Sequence, residues 1–341
     1  MQYAVEGVYH LYFGDASRHP IVNNYLRSLP ELPQRIVLTD VPNSRLGRLW
    51  RLGRETLRAR KHADWALQCH DVVSAVIGSV LWKGRVIYDS HEIYSSFATR
   101  RIVAKLINSL EKFAIRQATI VVFPSTYRSE YYDLEDRDVR IVENLYYPYD
   151  NDEARGTGAD TSDAETGRPQ SPLFVYTGLF TPARAIDDIV AAFKSPQLSA
   201  SRLVLAGKRT DYLDSVLGET PDNVEYVGEL GHAEVSELLK SADVGFALYR
   251  PVNENNRRCA PTKIFEFLYF GVQVIASQSP YVMEIKERCG GDQIIALDEI
   301  DTESIIAACL AVRKSDKSVD RHTRESVCWS SQMPIVKSLY T

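Results

Sequence analysis

Short apolar runs alternate with longer stretches of helical length through the first 145 residues. The apolar runs have the length and residue types of buried strands, and they lie at residues 8–13, 35–39, 64–69, 85–88, 119–123 and 139–142. Stretches between them, such as 72–81, 98–117 and 126–133, have the pattern of helices. Because strands joined by helical crossovers pair in parallel, this pattern predicts a parallel sheet that is covered on both faces.

The same alternation resumes after residue 172 and predicts a second parallel sheet. Its predicted strands are residues 173–176, 202–206, 224–227, 244–248, 273–276 and 293–296. We therefore predict an N-terminal α/β domain at 1–148 and a C-terminal α/β domain at 173–325. A chain of 341 residues is long enough for two such domains.

Residues 149–172 interrupt this pattern, because they contain almost no apolar side chains. Such a composition is typical of a flexible linker or loop. The segment includes Asp150-Asn-Asp152, which has the spacing of a metal-binding pair of carboxylates. Because the pair opens a polar segment and does not end a buried strand, we predict that both acids are solvated.

The composition is that of an ordinary globular protein, with 45% hydrophobic residues, 25% charged residues and a net charge of -5. This charge gives no case for a nucleic-acid partner. The five cysteines form no Cys-x-x-Cys pair, which favours reduced thiols over a zinc site or a disulfide framework. No apolar run has the length of a membrane span, and the N-terminus lacks a signal-peptide pattern. We therefore expect a cytoplasmic protein.

An apolar stretch at residues 262–270 predicts a buried helix that leads into a buried strand. Pro261 suits the start of this helix, since proline has a fixed φ and no N–H. A helix N-terminus has free N–H groups and partial positive charge, so together with Lys263 it can bind a diphosphate. Glu266 lies one turn later and can accept hydrogen bonds from a ribose diol. The alternative is a simple ion pair between Lys263 and Glu266.

Glycines and cations follow two strands of the second sheet. Gly178 and Gly207 stand directly after predicted strands, where glycine lets the backbone approach a phosphate closely. Arg184 precedes a predicted helix, and Lys208 and Arg209 follow Gly207. We predict that these residues bind phosphate. Which cation meets the charge stays open, and Arg184 could instead be exposed to solvent.

Polar residues follow two strands of the first sheet, as His70-Asp71 and as Asp89-Ser-His-Glu92. Ligands of parallel sheets bind outside the carboxyl ends of the strands. His91 is therefore a candidate ligand-binding residue, with a hydrogen-bonded loop histidine as the alternative. We expect His70 to support the fold.

Residues 45–61 combine seven cations with a single acid, Glu55. On a helical wheel the leucines and Trp50 cluster on one side and the arginines on the other. Basic amphipathic helices often lie on anionic membranes, and the candidate membrane-facing or acceptor-facing residues are Arg48, Trp50, Arg51 and Arg54. The alternative is a surface helix that packs on its own domain.

The segment Pro261-Thr-Lys-Ile-Phe-Glu-Phe-Leu268 and the Gly271-Val-Gln-Val-Ile-Ala-Ser277 that follows resemble the nucleotide-sugar-binding segment of glycosyltransferase family 4. The resemblance implies the fold class α/β with two Rossmann-like domains whose parallel sheets face across a cleft, known as GT-B. It also implies that Glu266 holds the nucleotide ribose and that Pro261, Thr262 and Lys263 hold the diphosphate. The family motif often has an earlier Glu, where this chain has Arg258, and Glu254 is the nearest acid.

Other segments extend the resemblance. Val86-Ile-Tyr-Asp-Ser-His-Glu92 is similar to a family segment whose histidine lines the sugar pocket, and residues 326–341 resemble a closing helix that crosses back to the first domain. The resemblance implies sugar transfer from a nucleoside diphosphate donor, with retention of anomeric configuration. It implies no cofactor and no bound metal. The residues that would act in catalysis are His91, Arg184 and Lys263.

Many relatives build bacterial surface polysaccharides or glycoconjugates, so the expected acceptor is a saccharide, lipid-linked if residues 45–61 bind the inner face of the cell membrane. Two other functions fit the same resemblance. A nucleotide-sugar epimerase would form product from the donor alone. A catalytically inactive nucleotide-sugar-binding or scaffold protein would fit the absent first Glu of the motif.

Overall fold

The computed structural model describes residues 3–14, 19–37, 44–62, 64–149, 152, 171–218, 221–288, 291–312 and 321–341. The chain divides into two compact units. Unit 1 comprises Met1–Asn144, Asn253–Ala260 and Trp329–Thr341, and unit 2 comprises Leu145–Val252 and Pro261–Cys328.

Each unit contains a six-stranded parallel sheet. The strands of unit 1 are β1 (Gly7–Leu11), β2 (Gln34–Val37), β3 (Trp65–Cys69), β4 (Val86–Asp89), β5 (Ile120–Phe123) and β6 (Val139–Ile141). The strands of unit 2 are β7 (Leu173–Thr177), β8 (Arg202–Ala206), β9 (Val224–Gly228), β10 (Val244–Ala247), β11 (Gln273–Ser277) and β12 (Ile294–Leu297). Their spatial orders are β2-β1-β3-β4-β5-β6 and β12-β11-β10-β7-β8-β9.

The helices alternate with the strands along the chain. They are α1 (Pro20–Ser28), α2 (Arg45–Ala59), α3 (Val72–Leu81), α4 (Arg101–Gln117), α5 (Thr126–Ser129), α6 (Ile186–Phe193), α7 (Asp211–Leu217), α8 (His232–Ser241), α9 (Glu254–Arg257), α10 (Thr262–Tyr269), α11 (Pro280–Arg288), α12 (Thr302–Ala311), α13 (Arg321–Val327) and α14 (Met333–Ser338). Short 3-10 turns add Tyr94–Phe97, Pro182–Arg184, Pro196–Leu198 and Trp329–Gln332. Within the described residues, none of the helices is both long and apolar enough to cross a bilayer.

Local sequence explains where several helices begin. The Asp71 carboxylate accepts hydrogen bonds from the backbone N–H groups of Val73 and Ser74, and this cap starts α3 directly after β3. The Ser44 hydroxyl caps α2 by accepting from the N–H of Gly47. The cap at Asp71 fixes the chain at the carboxyl end of β3, where polar side chains of the sheet edge become available for function.

The two-sheet α/β fold that the pattern predicted is confirmed, and each predicted strand lies within two residues of the observed bounds. Two helix predictions were too long. The helix predicted from residue 98 starts at Arg101 after a 3-10 turn, and the helix predicted over 126–133 ends at Ser129. Most of the predicted linker at 149–172 lies outside the described residues.

One residue of that segment overturns a prediction. Asp152 is 1% exposed and is therefore not a solvated acid. Its carboxylate accepts hydrogen bonds from the Tyr146 hydroxyl and the Tyr149 N–H, both at 2.6 Å, and from the Ser236 hydroxyl at 2.5 Å. These donors come from its own loop and from α8, so Asp152 ties the start of unit 2 to that helix. Its neighbours Asp150 and Asn151 lie outside the described residues.

The unit boundaries also differ from the predicted domains in one respect. Residues 253–260 lie between β10 and α10 of unit 2, yet they pack with unit 1. The reason is a set of buried polar contacts within unit 1. Asn255 accepts hydrogen bonds from the N–H of Ile93 and from Arg128, both at 2.8 Å. The last residues, Trp329–Thr341, belong to unit 1 as well.

Candidate functional site

The strand order of unit 2 places a ligand crevice at the ends of β7 and β10. Strands β8 and β9 lie on one side of β7, and β10 lies on the other. The connections therefore reverse direction between β7 and β10, and such a switch point opens a crevice outside the carboxyl ends of the strands. Gly178 directly follows β7, and Leu248, Tyr249 and Arg250 follow β10.

Side chains are disfavoured at the ends of β7 and β8, by the backbone conformation of Gly178 and Gly207 and also by lack of space at Gly207. Their φ angles are +139° and +155°, a region that favours glycine. A Cβ atom on Gly207 would meet the carbonyl oxygen of Gly178 at 2.0 Å. The backbone conformation therefore favours glycine at both strand ends, and the close approach of a phosphate stays a prediction.

Arg184 comes from the 3-10 turn Pro182–Arg184, which follows Gly178. Its guanidinium carbon lies 3.6 Å from the ring centroid of Tyr249, which places the cation against the aromatic face. The Nη1 atom of Arg184 is buried and has no hydrogen-bond partner among the described residues. A buried guanidinium N–H without an acceptor is costly, so this nitrogen is suited to an anionic ligand.

Arg250, which the sequence reading missed, holds the turn that carries Arg184. Its N–H donates to the carbonyl of Ala183 at 2.8 Å, and its Nη1 donates to the carbonyl of Pro182 at 2.6 Å. Its Nη2 forms ion pairs with Asp187, at 2.9 Å, and with Asp188. The signal available in the sequence was an arginine two residues after the predicted strand 244–248.

Lys263 and Glu266 lie in the first turns of α10. Pro261 precedes the helix and offers no side-chain cap, so among the described residues the first N–H groups of α10 are left without a cap. The ammonium of Lys263 lies 2.5 Å from a carboxylate oxygen of Glu266. The predicted i,i+3 ion pair is therefore present, although Glu266 is buried and does not lie on a solvated face. Thr262 is exposed at the helix start.

Lys208 and Arg209 are both exposed beyond Gly207. The Nε of Arg209 forms an ion pair with Asp214 at 2.7 Å. Because this ion pair with a residue of α7 already balances its charge, Arg209 is a weaker candidate than Lys208 for binding phosphate. Lys208 directly follows Gly207 at the end of β8.

The carboxyl edge of the unit 1 sheet carries a chain of three histidines. Nδ1 of His10 lies 3.0 Å from Nε2 of His70, and Nδ1 of His70 lies 3.3 Å from Nε2 of His91. The rings in the two pairs are 19° and 8° from parallel, with centroids 5.3 and 5.6 Å apart. The facing nitrogens therefore lie close to the lines that join the rings, as in N–H···N hydrogen bonds.

Gln34 fixes the direction of these hydrogen bonds. Its side-chain N–H2 donates to the carbonyls of Leu26 and Leu29, at 3.1 and 3.0 Å, near the end of α1. The amide oxygen must then accept from Nε2 of His10, at 2.9 Å. In neutral rings the pattern propagates, because Nδ1 of each histidine accepts from Nε2–H of the next. His91 is thereby assigned as the Nε2–H tautomer, with Nδ1 left as an acceptor.

Burial keeps these imidazoles neutral. Desolvation lowers the pKa of His10 and of His91 to about 3, and it lowers the pKa of His70 well below its usual value. Burial raises the pKa of the adjacent Asp89, against the opposing charge effects of His91 and His19. We expected His70 to support the fold, and its hydrogen bond with His91 also orients that imidazole.

His70, Asp89 and His91 also have the composition of a metal site, since their ligand atoms lie within 4.8 Å of one another. The Asp89 oxygen lies 3.2 Å from His70 Nδ1 and 3.5 Å from His91 Nε2. However, the two imidazole nitrogens point at each other and not at a common centre. A shared proton fits this geometry better than a shared ion, and the predicted absence of a metal stays a prediction.

The backbone of His91 is held by Arg128, a buried cation of α5 that sequence reading also missed. Its Nη1 donates to the carbonyl of His91 at 2.7 Å and to Asn255 at 2.8 Å. Arg258, which stands where the family motif has its first Glu, donates to the carbonyl of Tyr127 at 2.6 Å. Glu254 pairs with Arg257 at 2.7 Å and with Arg258 at 3.6 Å. The side chains of residues 254–258 therefore make these contacts within unit 1.

The basic segment forms α2 as a continuous helix, despite its two glycines. Trp50 is 65% exposed and Leu46 is 79% exposed, so the apolar side of the helix does not pack fully on its own unit. The Arg54 guanidinium lies 4.6 Å from the ring of Trp50 and pairs with Glu55 at 2.8 Å. Arg48 and Arg51 are partly buried on the same helix.

Comparison with known proteins agrees with this architecture. Residues 171–314 match the family profile described as glycosyl transferases group 1. A search of curated proteins gave no match. Among solved structures, the chain is similar to the sucrose-phosphate synthase of Thermosynechococcus elongatus, with 15% identity, a TM-score of 0.64, and 98% of this chain and 95% of that chain covered.

Two further similar structures were solved with nucleotides. Anabaena HepE in complex with UDP-glucose has 13% identity and a TM-score of 0.66, with 97% of this chain and 98% of that chain covered. The catalytic domain of Arabidopsis thaliana starch synthase IV, bound to ADP and acarbose, has 12% identity and a TM-score of 0.66, with 98% and 99% covered. With a group 1 domain at residues 171–314 and two parallel six-stranded sheets, the chain is a glycosyltransferase of the GT-B fold, similar to family 4.

Proposed function

We propose that this glycosyltransferase moves a sugar from a nucleoside diphosphate donor to a saccharide carried by a lipid, with retention of configuration and without a bound metal. The observation that carries the donor assignment is the buried, unpartnered Nη1 of Arg184 at the β7–β10 switch point. Similar structures that hold UDP-glucose or ADP support the same donor class.

Three groups of unit 2 share the negative charge of the donor. Arg184 binds the diphosphate, and so do Lys263 and the N–H groups at the start of α10. The departing diphosphate gains charge as the glycosidic bond breaks. Arg184 and the N–H groups at the start of α10 are in place before the donor binds, so they stabilise that charge without reorganisation. Gly178 and Gly207 allow the phosphates to approach the backbone.

Glu266 acts on the ribose. In the free protein its carboxylate is held by Lys263, and this pairing orients a buried side chain. An ionised carboxylate accepts hydrogen bonds from two hydroxyl groups. We propose that Lys263 turns toward the diphosphate when the donor binds, while Glu266 keeps the ribose diol.

His91 contacts the transferred sugar. Because the imidazole is neutral and carries its proton on Nε2, its Nδ1 can only accept a hydrogen bond. The partner is therefore a hydroxyl of the sugar. A carboxylate in that place would meet a second acceptor, so neutral sugars are favoured over uronic acids.

The acceptor meets the protein at a membrane surface. Helix α2 carries five arginines against one glutamate, and its tryptophan and three of its four leucines are exposed. Each basic residue near an anionic membrane contributes about 1 kcal/mol. This helix supports the proposal of a lipid-linked acceptor at the inner face of a bacterial membrane, in surface polysaccharide or glycoconjugate synthesis.

Titration calorimetry with UDP-, GDP-, ADP- and TDP-sugars, followed by product analysis, tests the proposal. We expect one donor to bind with chelator present, and transfer to a saccharide acceptor with an unchanged anomeric configuration by NMR. Conversion of donor to an epimer without acceptor would favour the epimerase. Donor binding with neither transfer nor hydrolysis would favour a scaffold, and no binding would remove the donor site.

A further inference from the structure

Two acids follow Arg184 closely in the chain. Asp187 and Asp188 lie three and four residues after it, in the first turn of α6. Opposite charges at this separation often pair, and either acid would then neutralise the cation that a diphosphate needs. Arg184 nevertheless forms no ion pair with a residue that the structure describes, and its buried Nη1 has no hydrogen-bond partner there. The two acids have other partners.

Arg250, which follows β10, binds both of these carboxylates. Its Nη2 lies 2.9 Å from a carboxylate oxygen of Asp187 and also pairs with Asp188. Two hydroxyl groups assist it, since Tyr212 donates to Asp187 at 2.9 Å and Thr302 donates to Asp188 at 3.3 Å. Burial would raise the pKa of Asp187, but hydrogen bonds from Arg250 and Tyr212 lower it. Asp187 is therefore an ionised acid whose charge Arg250 balances.

Arg250 also fixes the backbone of the turn that carries Arg184. Its N–H donates to the carbonyl of Ala183 at 2.8 Å, and its Nη1 donates to the carbonyl of Pro182 at 2.6 Å. The residue after the turn, Ala185, is buried and has a φ of +56°, in the left-handed region that a residue with a Cβ rarely adopts. Such a conformation persists only where the surrounding structure fixes it. The hydrogen bonds from Arg250 supply part of that support.

Tyr249, the neighbour of Arg250, holds Arg184 without neutralising it. The guanidinium carbon of Arg184 lies 3.6 Å from the centroid of the Tyr249 ring. An aromatic face attracts a cation but has no net charge, so the positive charge stays available to an anion. Two consecutive residues after β10 therefore act together on Arg184, one on its orientation and the other on the acids that would compete for it.

We propose that Arg250 is a positioning residue of the donor site, which binds Asp187 and Asp188 and so leaves the charge of Arg184 free for the diphosphate. The inference rests on the proposed function in assigning the diphosphate to Arg184. The competition between Arg184 and Arg250 for the two acids does not depend on that assignment, and it can be measured without a ligand.

A double-mutant cycle measures the competition. Urea unfolding of Arg184→Met, Asp188→Asn and the variant with both changes gives the coupling between the two charges. We expect no coupling while Arg250 is present. In the Arg250→Met background the released acid should pair with Arg184, and the coupling should change the equilibrium constant of unfolding by about two- to fivefold, the range for a partly exposed ion pair.

The same cycle with Asp187→Asn examines the other acid. Coupling of either acid with Arg184 while Arg250 is present would overturn the proposal, and so would an absence of coupling for both acids in the Arg250→Met background. If Arg250→Met does not fold, Arg250→Gln replaces it, because the glutamine amide is neutral and still has a donor for the carbonyl of Pro182.

Anion binding gives the second readout, with inorganic pyrophosphate and with nucleoside diphosphates as probes in calorimetry. Arg250→Met should weaken both by about tenfold or more, the range for a lost charge-assisted hydrogen bond. Adding Asp187→Asn and Asp188→Asn to Arg250→Met should restore most of the affinity, because no acid then competes for Arg184. A merely structural role would give no recovery, since the hydrogen bonds to the turn are still missing.

The control for charge is Arg202→Met, which removes an exposed arginine of unit 2 from its pair with Glu225 and should leave pyrophosphate affinity unchanged. The two readouts also separate the two proposals. If the unaltered protein binds neither probe, the proposed function fails, and the unfolding cycle still decides whether Arg250 keeps the acids from Arg184. If the probes bind and the triple variant stays as weak as Arg250→Met, the positioning role alone is overturned.

Discussion

The imidazoles of His70 and His91 face each other nitrogen to nitrogen across 3.3 Å, with ring planes only 8° apart. This alignment, extended by His10 to the amide oxygen of Gln34, makes the protonation pattern of His91 a property of residues far from it in sequence. The amide of Gln34 is in turn fixed by the carbonyls at the end of α1.

The first prediction concerns this chain of three histidines. Nitrogen NMR of the imidazoles at pH 7 should show His10, His70 and His91 all neutral with protons on Nε2. Gln34→Leu should release His10 and give mixed tautomers at His91. The turnover number should then fall while donor affinity is unchanged, because the donor binds in unit 2.

Gln197→Leu, at an exposed glutamine of unit 2, is the control and should change neither the spectrum nor the turnover. An imidazolium signal from His70, balanced by an ionised Asp89, would contradict the assigned pattern. Stoichiometric binding of Zn²⁺ with loss of the Nε2 proton of His91 would contradict it as well.

The second prediction concerns Glu266. Glu266→Gln should weaken donor binding by about 1.5–3 kcal/mol, because charge-assisted hydrogen bonds to the ribose are lost. The matched control is Glu237→Gln, which breaks another i,i+3 pair with lysine, at Lys240, on the surface of α8. Calorimetry that finds equal donor affinity in both variants would remove Glu266 from the site.

The third prediction concerns Arg184. Arg184→Met should weaken the nucleoside diphosphate by about tenfold or more, the range for a lost charge-assisted hydrogen bond. The parent nucleoside should bind as before, since it has no phosphate to lose. Arg202→Met removes an exposed cation that pairs with Glu225 and serves as control. A loss of affinity that is equal for the nucleoside and the nucleoside diphosphate would show that Arg184 does not bind the diphosphate.

The fourth prediction concerns pH. Burial raises the pKa of Glu111 to about 7, although the Tyr88 hydroxyl donates to its carboxylate at 2.8 Å. The folded state thus binds this proton more tightly than the unfolded state does. The free energy of unfolding should therefore lose a contribution as pH rises from about 4.5 to 7, and the whole penalty is present above pH 7.

Glutamine does not titrate, so Glu111→Gln removes this pH dependence. The free energy of unfolding of the variant, relative to that of the unaltered protein, should therefore be greater at pH 8 than at pH 4.5. A shift of this size corresponds to about 3 kcal/mol. Urea unfolding at both pH values measures the difference. The comparison must be made between variants, because His10 and His91, with pKa values of about 3, add a slope of opposite sign between about pH 3 and 6.5. A difference that does not change with pH would show that Glu111 is ionised normally.

The fifth prediction concerns α2. Vesicles with anionic lipid should co-sediment the protein, and binding should fall as salt rises. Changing Arg48, Arg51 and Arg54 to Glu should weaken binding at least about 100-fold, given about 1 kcal/mol per basic residue. The same change at Arg116, Arg140 and Arg202, which are exposed elsewhere, should matter far less. Failure to sediment with anionic vesicles at low salt would exclude α2 as a membrane anchor and leave the donor site untouched.

Much of the fold could be predicted because strands and helices leave local periodic patterns. The strands that end at Thr177 and Ala206 were visible as apolar runs, and the glycines after them marked the open strand ends. The pairing of Lys263 with Glu266 was also foreseeable from a spacing of three residues.

Long-range polar contacts were not predictable, because nothing in the local sequence specifies the partner of a buried group. His10 and His70 are 60 residues apart, and Arg128 and Asn255 are 127 apart. Asp152 lies in a stretch that is polar in composition, yet its partner Ser236 comes from a helix 84 residues later. In each case folding brings together groups that are unremarkable in their own segments.

The assignment of Asn253–Ala260 to unit 1 has a consequence for the order of synthesis. All six strands of the first sheet have left the ribosome long before Asn255 is made, and the segment Trp329–Thr341 arrives last. Before Asn255 is made, the guanidinium of Arg128 lacks this partner. Before the last segment is made, Gln68 lacks the hydroxyl of Tyr340. The nascent chain therefore carries an unfinished first unit through most of translation, and a chain cut after Asn144 would lack the Asn255 side chain that binds Arg128, the residue that holds the carbonyl of His91.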